Sequence, residues 1–221
     1  DPIALLNCYK HNYEAPKDDV DVLVNIGFLT TTILIYGDNQ ELLTREISIG
    51  AHHVNLAIMD LSNIDYHTAE KNKIDKGMDV FELNESESNS SSIQISQRNI
   101  ISELSDEIRK TLRYYMKSKV GSSYNKFYIS GGLSNMKGLV NSLNTSLNVE
   151  FLALDPFKNI DCSDNNIENF SSYVVSMGLI LRAHLKDNKV NESDNKFNFK
   201  NYSIIKFFNM IKNWLLNGYK K

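Results

Sequence analysis

The chain has 221 residues, 42% of them hydrophobic and 10% aromatic, so it can bury a sizeable core in one large domain or two small ones. Its 24 Lys and Arg residues nearly balance 27 Asp and Glu residues, and a net charge of -3 argues against nucleic-acid binding. We expect neither a spanning segment nor a signal peptide, because no apolar run has the required length. Cys8 and Cys162 lack metal-ligand spacing, which fits a reducing, cytoplasmic compartment.

The first half of the chain has the pattern of a small mixed α/β unit. Apolar residues recur at helical spacing near the start, and β-branched residues then surround a Gly-containing turn. In chain order the sequence predicts a helix over 3–9, two strands between 20 and 36, a strand over 41–47, and helices over 53–61 and 66–74.

The second half repeats strand and helix signals after a polar interruption. Residues 77–97 are predicted to be an exposed loop, because their low-complexity centre at 84–92 buries too little apolar surface. Next come a helix over 100–116, a strand at 127–129, a Gly-Gly turn, a helix over 139–147, a strand over 149–154, a helix over 173–185, a linker, and an amphipathic helix over 202–221.

The turn between the first two strands, Asn25 to Thr31, has residues that suit a phosphate site. Phosphate is bound by converging backbone N–H groups, which Gly27 allows by permitting close approach, and by hydroxyl donors such as Thr30 and Thr31. A plain β-hairpin with a tight turn is the alternative, and this short motif alone does not decide between them.

Asn25 stands where a phosphate site that uses magnesium normally carries an acid. This hard cation prefers carboxylate and water ligands, and an amide supplies no negative charge. The sequence therefore predicts weak magnesium affinity. Phe28 and Leu29 are also bulkier than the residues expected where backbone surrounds a phosphate.

Two further segments suit a nucleoside. Gly131 and Gly132 follow a buried strand, and two residues without side chains let a flat base or ribose lie on the backbone; an ordinary strand-to-helix turn is the alternative. Glu70 and Lys73 share one helix face and can bracket a ribose or base, although a solvated ion pair is the commoner reading. Their order along the chain strengthens each of these interpretations.

A family resemblance rests on these segments and on several other short matches. On residues from about 1 to 182, the chain resembles the actin-like ATPases, most closely the PilM family of type IV pilus assembly proteins, and more distantly the FtsA family of division proteins. The residues that carry it are Val24-Asn25-Ile26-Gly27, Thr44-Arg45-Glu46-Ile47-Ser48-Ile49-Gly50, Ala69-Glu70 with Lys73, Thr111-Leu112-Arg113-Tyr114-Tyr115, Ile129-Ser130-Gly131-Gly132 with Gly138-Leu139, Leu154-Asp155-Pro156-Phe157, and Met177-Gly178-Leu179-Ile180-Leu181-Arg182.

The resemblance implies an α/β, actin-like (ribonuclease H-like) ATPase fold of mixed sheets flanked by helices, in two lobes around a cleft. The N-terminal lobe is expected to be incomplete, because the family's earlier phosphate hairpin has no counterpart and the chain begins at Asp1 without Met. The expected divisions are the end of the N-terminal lobe at 1–19, a nucleotide-binding lobe at 20–185 with an inserted subdomain at about 51–100, a linker at 186–201 and the helix at 202–221.

The same resemblance implies a cytoplasmic scaffold, peripheral to the inner membrane, that binds ATP or ADP with or without magnesium. It would dock a PilN-like inner-membrane segment and other pilus assembly proteins, with slow hydrolysis or none. The implied phosphate contacts are Asn25, Gly27, Thr30 and Thr31, and the implied nucleoside contacts are Glu70, Lys73, Gly131, Gly132 and Ser134. An active actin-fold ATPase and an FtsA-like membrane-tethered protein are the alternatives.

Several residues receive no special role. The histidines, including the adjacent His52 and His53, lack the spacing of metal ligands, and no nucleophile motif surrounds Ser130, so no catalytic residue is predicted. The basic, Trp-containing helix over 202–221 suits packing on its own domain or a partner, with binding to a membrane surface as the alternative.

Overall fold

The computed structural model describes residues 2–39, 42–82, 91–119, 123–160 and 167–187. The predicted linker after Asp187 and the helix over 202–221 lie outside these ranges. The described elements are α1 (Pro2–Asn12), β1 (Val20–Ile26), β2 (Thr31–Tyr36), β3 (Leu43–Ile47), α2 (Ala51–Ser62), α3 (Tyr66–Lys76), α4 (Asp79–Glu82), α5 (Ser91–Ser118), β4 (Tyr124–Ser130), α6 (Leu139–Leu147), β5 (Phe151–Ala153) and α7 (Val174–Asp187), with 3-10 turns at Gly132–Asn135 and Phe170–Tyr173.

The strands form one five-stranded mixed sheet in the order β3-β2-β1-β4-β5. β1 pairs antiparallel with β2 and parallel with β4, and β5 extends the parallel part. Parallel neighbours place their carboxyl ends at the same edge, so Asn25, near the end of β1, lies opposite Ser130 at the end of β4. This edge of the sheet carries both loops that the sequence assigns to a ligand.

Two helical layers cover the sheet, and alternation along β1 explains why both are needed. Val22 and Val24 join the core under α2, α5 and α6, whereas Leu23 joins a second core under α1 and α7. A strand covered on both faces is buried along its length, and six of the seven residues of β1 are buried, including the charged Asp21. The central strand and the hairpin after it are therefore held from both sides.

In the second layer, α1 and α7 pack backbone against backbone. A Cβ atom at Gly178 would lie 1.8 Å from the carbonyl oxygen of Ala4, so no other residue fits at this crossing. Next to it, the Tyr9 hydroxyl donates a hydrogen bond of 2.6 Å to Asp21, a buried carboxylate on β1. Burial, together with this hydrogen bond, raises the pKa of the Tyr9 phenol.

Most predicted elements are confirmed, and the polar segment is the main exception. The prediction of a loop over 77–97 is wrong in part, since α4 covers Asp79–Glu82 and α5 begins at Ser91; residues 83–90 lie outside the described ranges. A helix is difficult to nucleate but easy to extend. Once the strongly amphipathic part of α5 has formed, the helix therefore extends towards the N-terminus through the polar residues that precede this part. No helix of the described segments combines the length and apolar character required to cross a membrane.

Candidate functional site

The hairpin tip between β1 and β2 directs its carbonyl groups towards α2. The backbone N–H groups of Ala51 and His52 donate to the carbonyl oxygens of Gly27 and Phe28, at 3.0 and 2.8 Å. In a trans peptide the carbonyl and the following N–H point in opposite directions. The N–H groups of Phe28 and Leu29 therefore point away from α2, as two successive donors at the edge of the sheet, which is an arrangement that suits an anion.

Gly50 allows this close approach of the hairpin to α2. A Cβ atom at position 50 would lie 2.6 Å from the carbonyl oxygen of Phe28, so the residue before the helix must be glycine. The tip itself projects into solvent, with Phe28 58% and Leu29 55% exposed. Their bulk therefore does not fill the space beneath the hairpin backbone.

The first predicted phosphate contact, Asn25, is partly buried at the base of the hairpin. Its Oδ1 accepts a hydrogen bond of 3.0 Å from the Ser130 hydroxyl on the neighbouring strand. An amide oxygen carries no charge. Because this one already accepts a hydrogen bond, it has limited capacity to accept another from a metal-bound water. The residues present at this position are therefore a poor fit for magnesium.

The two threonines of the hairpin have different environments. The Thr31 side chain is fully buried, and its hydroxyl donates a hydrogen bond of 2.7 Å to the carbonyl of Ile49. Thr30 is partly exposed at the tip, where its carbonyl accepts from the Gly27 N–H at 2.9 Å. The structure thus gives Thr31 a role in joining β2 to the turn before α2, and leaves Thr30 as the hydroxyl nearer to solvent.

Gly131 and Gly132, predicted to contact the nucleoside, are glycines for different reasons. Gly131 has a φ angle of +93°, and a Cβ atom there would lie 2.3 Å from the carbonyl oxygen of Ile26. At Gly132, by contrast, a Cβ atom meets no described heavy atom within 4 Å. Packing explains the first glycine, whereas the second faces open space that a flat ligand can occupy.

Ser134, the remaining predicted contact on this loop, uses its hydroxyl within the protein. The hydroxyl lies 2.7 Å from the carbonyl oxygen of Gly131, to which it donates, and 3.0 Å from the hydroxyl of Ser171. The carbonyl of Ser171 in turn accepts from the Gly131 N–H at 3.0 Å. These bonds fix the loop to the turn before α7, so Ser134 shapes the loop in this structure.

Glu70 and Lys73 form an ion pair on α3, with Nζ and Oε2 2.7 Å apart and Lys73 only 7% exposed. Desolvation acts to raise the pKa of Glu70, but hydrogen bonds from Lys73 and Asn55 outweigh it and hold this pKa below its usual value. A nearly buried ammonium whose partner is only partly covered is unusual for a solvated ion pair. The ion pair with Glu70 compensates for the burial of this ammonium group.

Sequence reasoning missed Asn55, a fully buried residue of α2. Its Nδ2 donates to Glu70, and its Oδ1 has no hydrogen-bond partner among the described residues. A buried amide oxygen left without a donor is costly. The sequence carries no signal for Asn55, because only the structure shows that it lies with Val54 and Ile58 on the buried face of α2.

Contacts join the three predicted segments into a closed circuit. The hairpin packs on the start of α2, and α2 is bonded to α3 through Asn55 and Glu70. The turn after α3 is joined to the Gly-Gly loop, residues 131–138 between β4 and α6, since the Met78 N–H donates to the carbonyl of Lys137 at 2.9 Å. Gly131 closes the circuit by its contact with Ile26 at the hairpin. These contacts link the segments that the sequence predicts to bind the phosphates with those that it predicts to bind the nucleoside.

Comparison with solved structures defines the class of fold. The chain is similar to a PilM-PilN type IV pilus biogenesis complex (22% identity, TM-score 0.64, 81% of this chain and 50% of that one). It is also similar to MreB 5 of Spiroplasma citri bound to AMPPNP, with 15% identity and a TM-score of 0.57 over 87% of this chain and 60% of that one. A third similar structure is ethanolamine utilization protein EutJ from Carboxydothermus hydrogenoformans, with 17% identity and a TM-score of 0.55 over 81% of this chain and 52% of that one. The fold is that of the actin-like ATPases, as the sequence predicted.

The family follows from the sequence itself. A family model described as Type IV pilus assembly protein PilM matches residues 5–184, and the chain belongs to this family. The chain spans about half the length of the PilM-PilN structure that it matches, at 50%. No curated protein shows significant sequence similarity to it.

Proposed function

We propose that the chain is the nucleotide-binding part of a PilM-like scaffold for type IV pilus assembly. The observation that carries this proposal is Gly132, where an added Cβ atom would meet no described heavy atom within 4 Å, in a loop whose preceding residue, Gly131, packs against Ile26 at the end of β1. An adenine nucleotide would lie with its phosphates at the N–H groups of Phe28 and Leu29, because the Gly27 N–H already donates to the Thr30 carbonyl. Its nucleoside would lie against Gly132 and the Glu70–Lys73 pair.

Magnesium would contribute little to this binding. The hairpin offers the neutral Asn25 instead of a carboxylate, and the carboxylate of Glu70 already accepts from Lys73 and Asn55. Metal-assisted hydrolysis needs a charged ligand to hold the hard cation and its waters. ATP or ADP would therefore stabilise a closed arrangement of lobes, and turnover would be slow.

The partner would be a PilN-like segment of an inner-membrane protein, together with other pilus assembly proteins. Support comes from family membership and from the shared fold with the solved PilM-PilN complex. Such a partner would place the protein in the cytoplasm, at the surface of the inner membrane. In this arrangement residues 1–19 would end an N-terminal lobe, 20–185 would form the nucleotide-binding lobe with an insertion at about 51–100, and 186–201 would link it to 202–221.

Two binding measurements test the proposal. Calorimetric titration of the chain with ATP and ADP, with magnesium and with excess chelator, should give similar affinities in both conditions. Tight binding that requires magnesium, accompanied by rapid release of phosphate, would contradict the proposal of a scaffold with slow turnover. For the partner, a peptide covering the cytoplasmic segment of a PilN-type protein should bind the chain and should not bind after the peptide sequence is scrambled.

A further inference from the structure

We propose that His52 is a positioning residue for the phosphate-binding hairpin. Its side chain holds the tip at Gly27–Thr30 in the orientation that turns the N–H groups of Phe28 and Leu29 towards the ligand. This inference rests on the proposed nucleotide binding and adds a residue to which the sequence assigned no role.

The backbone of His52 makes the first contact with the hairpin. Its N–H donates to the carbonyl oxygen of Phe28 at 2.8 Å, next to the bond of 3.0 Å from Ala51 to Gly27. These two bonds set the direction of the tip peptides. Any residue at position 52 can make such a bond, so the particular contribution of histidine must come from its side chain.

The imidazole ring of His52 contacts the rings of Phe28 and Tyr66, in addition to that of its neighbour His53. Its centroid is 5.4 Å from that of Phe28 and 5.6 Å from that of Tyr66, and its Nδ1 lies 3.1 Å from the Tyr66 hydroxyl. Phe28 is 58% exposed, so little other burial fixes its side chain. The hydrogen bond to Tyr66 thus fixes the imidazole, and the packing of the imidazole on Phe28 restrains the tip from the side of α2.

Tyr66 is itself firmly placed, because it is the first residue of α3. The Asp65 side chain caps this helix, accepting from the N–H groups of His67 and Thr68 at 2.9 and 3.1 Å. The same helix carries Glu70 one turn later. Successive side-chain contacts from Phe28 to His52 and from His52 to Tyr66 therefore connect the hairpin proposed to bind the phosphates with α3, the helix proposed to contact the nucleoside.

The adjacent His53 has a different and local task. Its Nδ1 accepts a hydrogen bond of 3.2 Å from the N–H of Gly50, which caps the start of α2. His53 thus supports the helix, whereas His52 contacts the hairpin. A purely structural role for His52 in packing α2 on α3 is the competing explanation, and it predicts no preference for the phosphate part of a ligand.

The test compares ligands that differ only in their phosphates. ADP and adenosine are titrated into the 221-residue chain and into His52→Ala, Tyr66→Phe and the control His67→Ala, which changes an exposed histidine next to Tyr66. For His52→Ala we expect about tenfold weaker ADP binding, from the lost ring contacts and hydrogen bond, and adenosine binding within about twofold. Tyr66→Phe should weaken ADP about threefold, since it removes only the hydroxyl. His67→Ala should bind both ligands as the parent does.

Equal losses for ADP and adenosine, or unchanged ADP binding, would overturn the positioning role. A second measurement needs no ligand: exchange of the amide hydrogens at positions 51 and 52 reports the two bonds to the hairpin. Exchange at these two positions should be faster in His52→Ala and Tyr66→Phe than in the parent, and unchanged in His67→Ala. Equal exchange rates in the parent and all three variants would also overturn the inference. If the parent chain binds neither ADP nor adenosine, the proposed function fails, and the exchange rates alone then decide the role of His52.

Discussion

A side chain at Gly131 would place its Cβ atom 2.3 Å from the carbonyl oxygen of Ile26, so the Gly-Gly loop and the end of β1 are in direct backbone contact. This contact fixes the separation between the segment proposed to hold the nucleoside and the hairpin proposed to hold the phosphates. Gly132, one residue further on, takes no part in it. The two glycines can therefore be separated by experiment.

Gly132→Ala should leave folding intact and weaken nucleotide binding. Because the new methyl group meets no described atom within 4 Å, the free energy of unfolding should change by no more than about 1 kcal/mol. ADP affinity should fall about tenfold or more, since the methyl group would occupy space that the nucleoside needs. Urea unfolding and calorimetric titration measure the two effects.

Gly131→Ala is the matched control for that substitution. It should destabilise the fold by more than about 2 kcal/mol, because the positive φ angle of this residue and the Ile26 carbonyl both exclude a side chain. If Gly132→Ala binds ADP as tightly as the parent chain, the nucleoside does not lie on Gly132.

The local elements of the site could be predicted from the sequence, because each depends on nearby residues. Apolar and β-branched residues on both sides of Gly27 predict the β1–β2 hairpin, and adjacent glycines after β4 predict a turn. The face of α2 could not be predicted in the same way. The spacing of Val54, Leu56 and Leu61 predicts that these residues form the apolar stripe of the helix, yet Leu56 is 39% exposed and Asn55 is fully buried. The bond between Asn55 and Glu70 joins two helices, and no local pattern reveals it.

The hydrogen-bond partners of two hydroxyl groups could not be predicted from the sequence either. Thr31 and Ser134 have the right chemistry to contact a ligand, and the sequence predicts both as binding residues. In the structure, the Thr31 hydroxyl donates to Ile49 and the Ser134 hydroxyl to Gly131. Both acceptors are backbone carbonyls whose positions depend on the fold of the hairpin and the loop, and residue type alone does not show which hydroxyls they engage.

Thr31→Val should therefore reduce stability without changing nucleotide affinity. The substitution keeps the shape of a fully buried side chain and leaves the Ile49 carbonyl without its donor, at a cost of about 1–3 kcal/mol. Denaturant midpoints and ADP titration of the same preparation measure the two quantities. Thr30→Val, at the partly exposed tip, should show the reverse pattern. Loss of ADP affinity in Thr31→Val without loss of stability would show that this hydroxyl contacts the ligand.

The Glu70 carboxylate should make stability depend on pH. Its pKa in the folded chain lies below the ordinary value of 4.5, so the unfolded chain binds the proton more readily. The stabilising contribution is fully present above that value and is lost as the pH falls through the lower pKa of the folded state. The difference in stability between the parent and Glu70→Gln should be largest near about pH 7 and should shrink towards about pH 3.5.

Urea midpoints at a series of pH values measure this difference. Glu150→Gln, which changes an exposed carboxylate, provides the control and should follow the parent at every pH. A difference between the parent and Glu70→Gln that stays constant across the series would mean that the folded chain does not favour the ionised carboxylate through Lys73 and Asn55.

Asn25→Asp should restore a response to magnesium. The Ser130 hydroxyl, 3.0 Å from Oδ1 of Asn25, can donate equally well to a carboxylate, so the local fold should persist. The added charge gives the hard cation a ligand that it prefers, and ADP affinity in the presence of magnesium should rise about tenfold. Affinity measured in excess chelator should stay the same or fall, because the carboxylate then repels the phosphates. Asn7→Asp adds the same charge on α1 and should change neither value. If Asn25→Asp leaves the affinity in magnesium unchanged, the cation does not contact this position, and the missing carboxylate cannot explain weak magnesium dependence.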